Sequence, residues 1–176
     1  MQKKPRQISS EEALFRLASQ CSLSEQCLQS CKQKLEKWNI SEIDSKSILE
    51  RLLSEKYIDE RRYATFFVKD KYTLEYWGKK KIELYLRRKN IPWPYIKEAL
   101  DGIEDNNYED QLYQMIFQKI KTTKAKSKYE LKGKLFRFAI SRGFESDLSL
   151  KTIEKVIQNY NIKFSTDEDG IEPFEY

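Results

Sequence analysis

The chain has 176 residues, of which 39% are hydrophobic and 35% charged, with five glycines, four prolines and a formal charge of +5. That apolar share is low for one thick core, and the scarcity of Gly and Pro beside frequent Leu, Lys, Glu, Ile and Tyr favours helix over sheet. There is no histidine and no Gly-rich phosphate loop, so Ser-His and Cys-His hydrolysis and P-loop or dinucleotide chemistry are excluded.

The first helix is expected near Ser10-Glu11-Glu12, where a serine cap and an acidic first turn precede Ala13, Leu14, Leu17 and Ala18 at helical spacing. Ser22 or Ser24 starts a second helix with Cys27, Leu28, Cys31, Leu35 and Trp38 on one face, and Asn39 ends it. A third runs from about Asp44 with Ile48, Leu49, Leu52 and Leu53 inward. Asp59 caps a fourth, carrying Tyr63, Ala64, Phe67 and Val68 and ending near Lys71. A fifth spans Trp77-Gly78 to Lys89, with Ile82, Leu86 and Tyr85 as its buried candidates and Asn90 as its cap. Pro92 and Pro94 suit a sixth helix start, followed by Tyr95, Ile96, Ala99, Leu100 and Ile103 on the inner face.

Asp105-Asn106-Asn107 reads as a turn, and a seventh helix opens at Tyr108-Glu109-Asp110 with Leu112, Tyr113, Ile116, Phe117 and Ile120 periodic. A linker rich in Lys, Thr and Ser precedes an eighth helix bearing Leu131, Leu135, Phe138 and Ala139, capped by Gly143. A ninth uses Leu150, Ile153, Val156, Ile157 and Tyr160, after which the chain turns acidic and loses its periodicity, as a mobile tail does. Phe67, Phe117, Phe138 and Phe144 are assigned to the core. Trp93, between two prolines, is expected to pack across a module boundary, with exposure to a partner as the alternative.

One pattern recurs three times: Cys31, Leu35 and Trp38-Asn39-Ile40; Ile82, Leu86 and Lys89-Asn90-Ile91; Leu135, Ala139 and Arg142-Gly143-Phe144. The copies are offset by 51 and 53 positions, the spacing of repeated supersecondary units. The expected fold is therefore all-α, an elongated array of three tandem three-helix modules over residues 1–58, 59–107 and 108–160, with an acidic flexible tail over 161–176.

No apolar run approaches the roughly 18 residues that cross a bilayer, and Met1-Gln2-Lys3-Lys4-Pro5-Arg6 is followed by no signal-peptide core. A cytoplasmic protein without membrane contact, expected as a monomer, follows. Cys21, Cys27 and Cys31 are an odd number in one segment, which argues against a disulfide framework, and a metal site would lack a fourth ligand. The acidic residues mostly sit at helical spacings beside Lys or Arg, where solvated ion pairs are the default. No catalytic residue and no cofactor is expected, and the useful hypotheses concern binding.

Charge is unevenly placed: the three modules carry +2, +2 and +5, and residues 159–176 carry −4. Lys79, Lys80, Lys81, Arg87, Arg88 and Lys89 crowd the fifth helix against Glu83 alone, and from Lys119 to Arg142 nine basic residues face only Glu130. With Ile82 and Leu86 turned inward, Lys79, Lys80, Arg87 and Lys89 spread over the other faces. Such surface suits nucleic-acid phosphate or an acidic groove on another protein, while a purely solubilising role stays open for each lysine.

The run Ile58-Asp59-Glu60-Arg61-Arg62-Tyr63-Ala64, followed by Phe67-Val68, Trp77-Gly78, Ile82, Leu86 and Lys89-Asn90-Ile91, resembles the signature of the RecX family of recombinase regulators. In that pattern an aspartate and a second acid precede an Arg-aromatic-Ala helix start, then come a Gly, a spaced Ile and Leu, and a Lys-Gly-Ile turn. Here Asn90 stands for the usual glycine and Glu60 where aspartate is common. The match covers about residues 57–100. The resemblance implies arrays of three-helix repeats that bind the RecA–DNA filament, lodge in its groove and usually restrain filament growth, strand exchange and ATP hydrolysis.

On that basis the expected partner is a RecA-type recombinase filament, with the phosphate backbone of single- or double-stranded DNA as a secondary ligand. The contact residues expected are Lys79, Lys80, Arg87, Arg88 and Lys89 in module two and Lys132, Lys134, Arg137 and Arg142 in module three. Arg61 and Arg62 are weaker candidates, one of them available to pair with Glu60 or Asp59. The rival is a stand-alone DNA-binding helical protein without sequence specificity, because these helices offer mostly Lys where a base reader needs Arg, Asn or Gln.

Overall fold

A computed structural model of the protein describes residues 8–160. The acidic tail expected over 161–176 lies outside the described residues. Nine helices follow one another with no strand among the described residues: α1 (Ser10–Leu23), α2 (Leu28–Lys37), α3 (Glu42–Ser54), α4 (Glu60–Thr73), α5 (Lys79–Arg88), α6 (Trp93–Asp101), α7 (Asp105–Lys121), α8 (Lys128–Arg142) and α9 (Ser146–Asn159). The all-α expectation holds.

Local chemistry sets the starts. Ser9, Ser41 and Ser127 each accept the N–H three residues on, from Glu12, Asp44 and Glu130, and Asp59 does the same for Arg62 at 2.9 Å. The stops explain the repeated pattern. Asn39, Asn90 and Gly143 have φ of 56°, 57° and 91°, and the apolar residue after each donates its N–H five positions back: Ile40 to Leu35, Ile91 to Leu86 and Phe144 to Ala139, at 3.1, 3.1 and 3.2 Å. Each copy is a left-handed helix cap that satisfies an orphan carbonyl and folds an apolar closer onto the last turn.

The chain divides into two compact units. Among the described residues, one comprises 8–69 together with Tyr85–Ala99, the other Asp70–Leu84 together with 100–160. In the first, Ala13, Leu17, Cys21, Cys31, Leu35, Ile48, Leu52 and Ile58 form one core cluster. In the second, α7, α8 and α9 pack on one another around Leu112, Ile116, Leu135, Ala139, Phe144, Ile153 and Val156.

Several sequence expectations need correction. Helix α1 runs through Ser22, and Cys27 is the N-cap of α2 instead of a member of it. Asp105-Asn106-Asn107 is the first turn of α7, since Asp105 favours the positive helix end and no Gly or Pro interrupts. Leu53 (41% exposed), Leu150 (48%), Tyr85 and Tyr95 face solvent. Of the four phenylalanines assigned to the core only Phe144 is fully buried; Phe67, Phe117 and Phe138 are half-buried. Trp93 opens α6 at 45% exposure, with the Arg87 guanidinium 4.5 Å from its ring centroid.

Candidate functional site

The basic helix α5 begins at a backbone crossing. Gly78 N–H donates to the Arg142 carbonyl at 2.8 Å and Lys80 N–H to the Gly143 carbonyl at 3.0 Å, so the end of α8 supplies acceptors to the start of α5. Between these two, Lys79 N–H donates to the Tyr108 hydroxyl at 2.9 Å, which in turn donates to Glu145 Oε2 at 2.8 Å. Orphan donors of one helix and orphan carbonyls of another are thus paired, the positive end of one dipole against the negative end of the other. Both glycines are required by space: a Cβ on Gly78 would overlap the backbone of Gly143, and one on Gly143 would overlap Lys81. Burial pushes the Tyr108 hydroxyl above its ordinary range, with the carboxylate of Glu145 acting in the same direction, so it stays protonated as the relay needs.

The expected contact cations fall into two groups. Lys79, Lys89 and Lys134 are committed to holding the fold. Lys79 Nζ reaches Asp105 at 3.1 Å and lies over the Tyr108 ring, and Lys89 Nζ donates to Ser30 Oγ at 3.1 Å. Lys134 Nζ pairs with Glu130 at 2.8 Å and donates to the Lys124 carbonyl at 2.6 Å. Lys132 pairs with Glu154 at 2.9 Å, and Arg142 sits over the Phe138 ring while reaching the Glu75 carbonyl at 3.5 Å. Lys80, Arg88 and Arg137 are exposed and hold no ion pair among the described residues, whereas Arg87 is exposed but stacked on Trp93. Lys79 and Lys80 lie in the unit that carries α8; Arg87, Arg88 and Lys89 lie in the other.

The family-signature residues have structural partners of their own. Glu60 Oε1 accepts the Leu28 N–H at 2.7 Å, capping α2 from α4, while its Oε2 is buried without a hydrogen-bond partner among the described residues. Burial therefore lifts the Glu60 carboxyl above the usual carboxylate range, against the Leu28 bond that lowers it. Arg62 pairs with Glu25 at 2.6 Å and Arg61 makes a bidentate pair with Glu98, so neither guanidinium pairs with Glu60 or Asp59. These cross-chain partners lie 32 to 37 positions away and carry no local periodicity. Tyr108 and Glu145 were missed for the same reason; the signal available was the pair Gly78 and Gly143 in a chain with only five glycines.

All three cysteines are free and buried, and burial pushes the Cys31 thiol up to about 12. Among the described residues no group of three or more His, Cys, Asp or Glu is arranged to hold a metal ion. Among the described residues no helix is long and apolar enough to cross a membrane.

Comparison with known proteins bears on the same segments. Residues 59–100 match the second three-helix domain of RecX, and residues 107–153 match the third. The regulatory protein RecX of Clostridium beijerinckii is 32% identical over 128 residues, 72% of this chain and 58% of that protein. Its Clostridium botulinum counterpart (strain Alaska E43) is 29% identical over 141 residues, 77% of this chain and 65% of that protein. The chain thus spans less than two thirds of the length of these curated relatives. The crystal structure of RecX from Lactobacillus salivarius shares the fold, with a TM-score of 0.69 at 18% identity over 85% of this chain and 97% of that one. Two consecutive three-helix domains, in the family's own order, make this chain a member of the RecX family.

Proposed function

We propose that this chain regulates a RecA-type recombinase, binding in the groove of its DNA filament and restraining strand exchange and ATP hydrolysis. It would do so through three consecutive modules divided after residues 58 and 107, with DNA phosphate as a secondary ligand. The supporting observation is that domains of the RecX family present Lys80, Arg88 and Arg137 as exposed cations outside any ion pair among the described residues. Regulation of this kind needs no catalytic group; the protein has only to bind one state of its partner better than another. Several weak contacts along a repeating filament add through effective concentration.

The test is a triple charge reversal, Lys80→Glu, Arg88→Glu and Arg137→Glu, assayed on the DNA-dependent ATPase of the cognate recombinase. Lys132 and Lys134 are left out because their ion pairs support α8 and α9. The half-inhibitory concentration is expected to rise by about tenfold or more while the circular dichroism spectrum and melting curve are preserved. Unchanged inhibition would reject these three residues as contacts, and no effect of the wild-type chain on the ATPase would reject the function.

A further inference from the structure

The linker between α7 and α8 and the first residue of α8 carry three lysines that the sites above do not use, and the fold holds the linker in shape. Lys134 Nζ donates to the Lys124 carbonyl at 2.6 Å, Glu130 Oε2 accepts the Lys126 N–H at 2.7 Å, and Ser127 Oγ accepts the Glu130 N–H at 3.2 Å. Thr123 Oγ1 donates to the Lys119 carbonyl at 2.7 Å. Glu130, the only acid between Lys119 and Arg142, is neutralised by Lys134 and spent on this pinning. What remains outward is cationic. Thr123 and Ala125 are half-buried while Lys124, Lys126 and Lys128 are exposed, and none of the three forms an ion pair among the described residues. Next to them, on the first turn of α8, Tyr129 is 89% exposed.

We propose that residues 124–129 form a binding site for single-stranded nucleic acid, with Lys124, Lys126 and Lys128 on successive phosphates and the Tyr129 ring stacked on an unpaired base. A nearly bare aromatic face has no use for a duplex, whose bases are already stacked, and every unpaired base offers it a partner. An acidic protein surface would complement the lysines but gives the ring no planar counterpart. Because the linker is already fixed by Glu130, Lys134 and Ser127, ordering it on binding costs little. This inference rests on the nucleic-acid part of the proposed function and not on the recombinase part.

The experiment uses the full chain, without recombinase, and follows the anisotropy of a fluorescein-labelled oligo-dT and of a labelled hairpin duplex across a salt series. Tyr129→Ala is expected to weaken oligo-dT binding about tenfold and leave the duplex unchanged, and Tyr129→Phe to stay within about twofold of wild type. Replacing Lys124, Lys126 and Lys128 by Gln is expected to reduce the log–log salt slope for oligo-dT by about 2. Equal binding of oligo-dT by wild type and Tyr129→Ala, or competition by poly-glutamate as effective as by oligo-dT, would overturn the site. Loss of oligo-dT binding in the Lys80, Arg88 and Arg137 triple reversal alone, with the linker variants unaffected, would overturn it in favour of the α5 and α8 surface.

Discussion

Glu60 shows how a single side chain serves two helices. Its Oε1 caps α2, 32 positions earlier in the chain, while burial raises its pKa. A carboxyl whose folded-state value lies above its unfolded one keeps its proton to higher pH when folded. Its contribution to stability is therefore present at low pH and is lost as pH rises from the ordinary carboxylate value through the raised one. Glu60→Gln keeps the acceptor and removes the buried charge, so unfolding in urea at pH 7 is expected to show equal or greater stability, by up to about 1 kcal/mol, with a flatter dependence on pH above 4.5. Glu60→Ala removes the acceptor and is expected to cost about 1 kcal/mol. At this scale the sequence was informative wherever a residue acts on its neighbours. Asp59, Asn39, Asn90 and Gly143 were readable as caps because the bonds they make span three to five positions. Glu60 was not, because its partner lies in another helix.

Among elements, the end of α8 supplies acceptors to the start of α5, and the two glycines at their crossing leave no room for a Cβ. Gly78→Ala adds one methyl group where the nearest atoms are the backbone of Gly143, which cannot rotate aside. The expected cost is about 3 kcal/mol or more, measured as a shift of the urea midpoint at unchanged slope. A loss within 0.5 kcal/mol would mean the crossing is looser than described. Helix number, order and type were legible from apolar spacing and capping chemistry. Boundaries were less so. The start of α2 slipped because Ser22, a good capping type, is used inside α1, where its hydroxyl donates to the Ala18 carbonyl. Leu53, Tyr85, Tyr95 and Leu150 were assigned inward because each continues an apolar period, yet α3, α5, α6 and α9 each bury a stripe too narrow to include it. The basic residues were legible as a population and not as individuals. Which lysines hold the fold depends on acids brought close by folding, such as Asp105 for Lys79 and Glu154 for Lys132.

For the molecule as a whole, the repeat seen in sequence and the compact units seen in space do not share borders. The divisions between units fall inside α4, between Lys69 and Asp70, inside α5, between Leu84 and Tyr85, and inside α6, between Ala99 and Leu100. Each helix of the middle three-helix domain therefore belongs partly to one body and partly to the other. A fragment of residues 59–103 is expected to show no cooperative thermal transition by circular dichroism, although it contains a complete family domain. A sharp, reversible melt of that fragment would contradict this.

The hydroxyl of Tyr108 ties together stretches of one unit that lie far apart in sequence. It accepts a hydrogen bond from the Lys79 N–H and donates one to Glu145, so one phenol on α7 joins the first turn of α5 to the residue that precedes α9. The first turn of α5 is therefore not complete until α7, 29 positions further along the chain, has docked beside it.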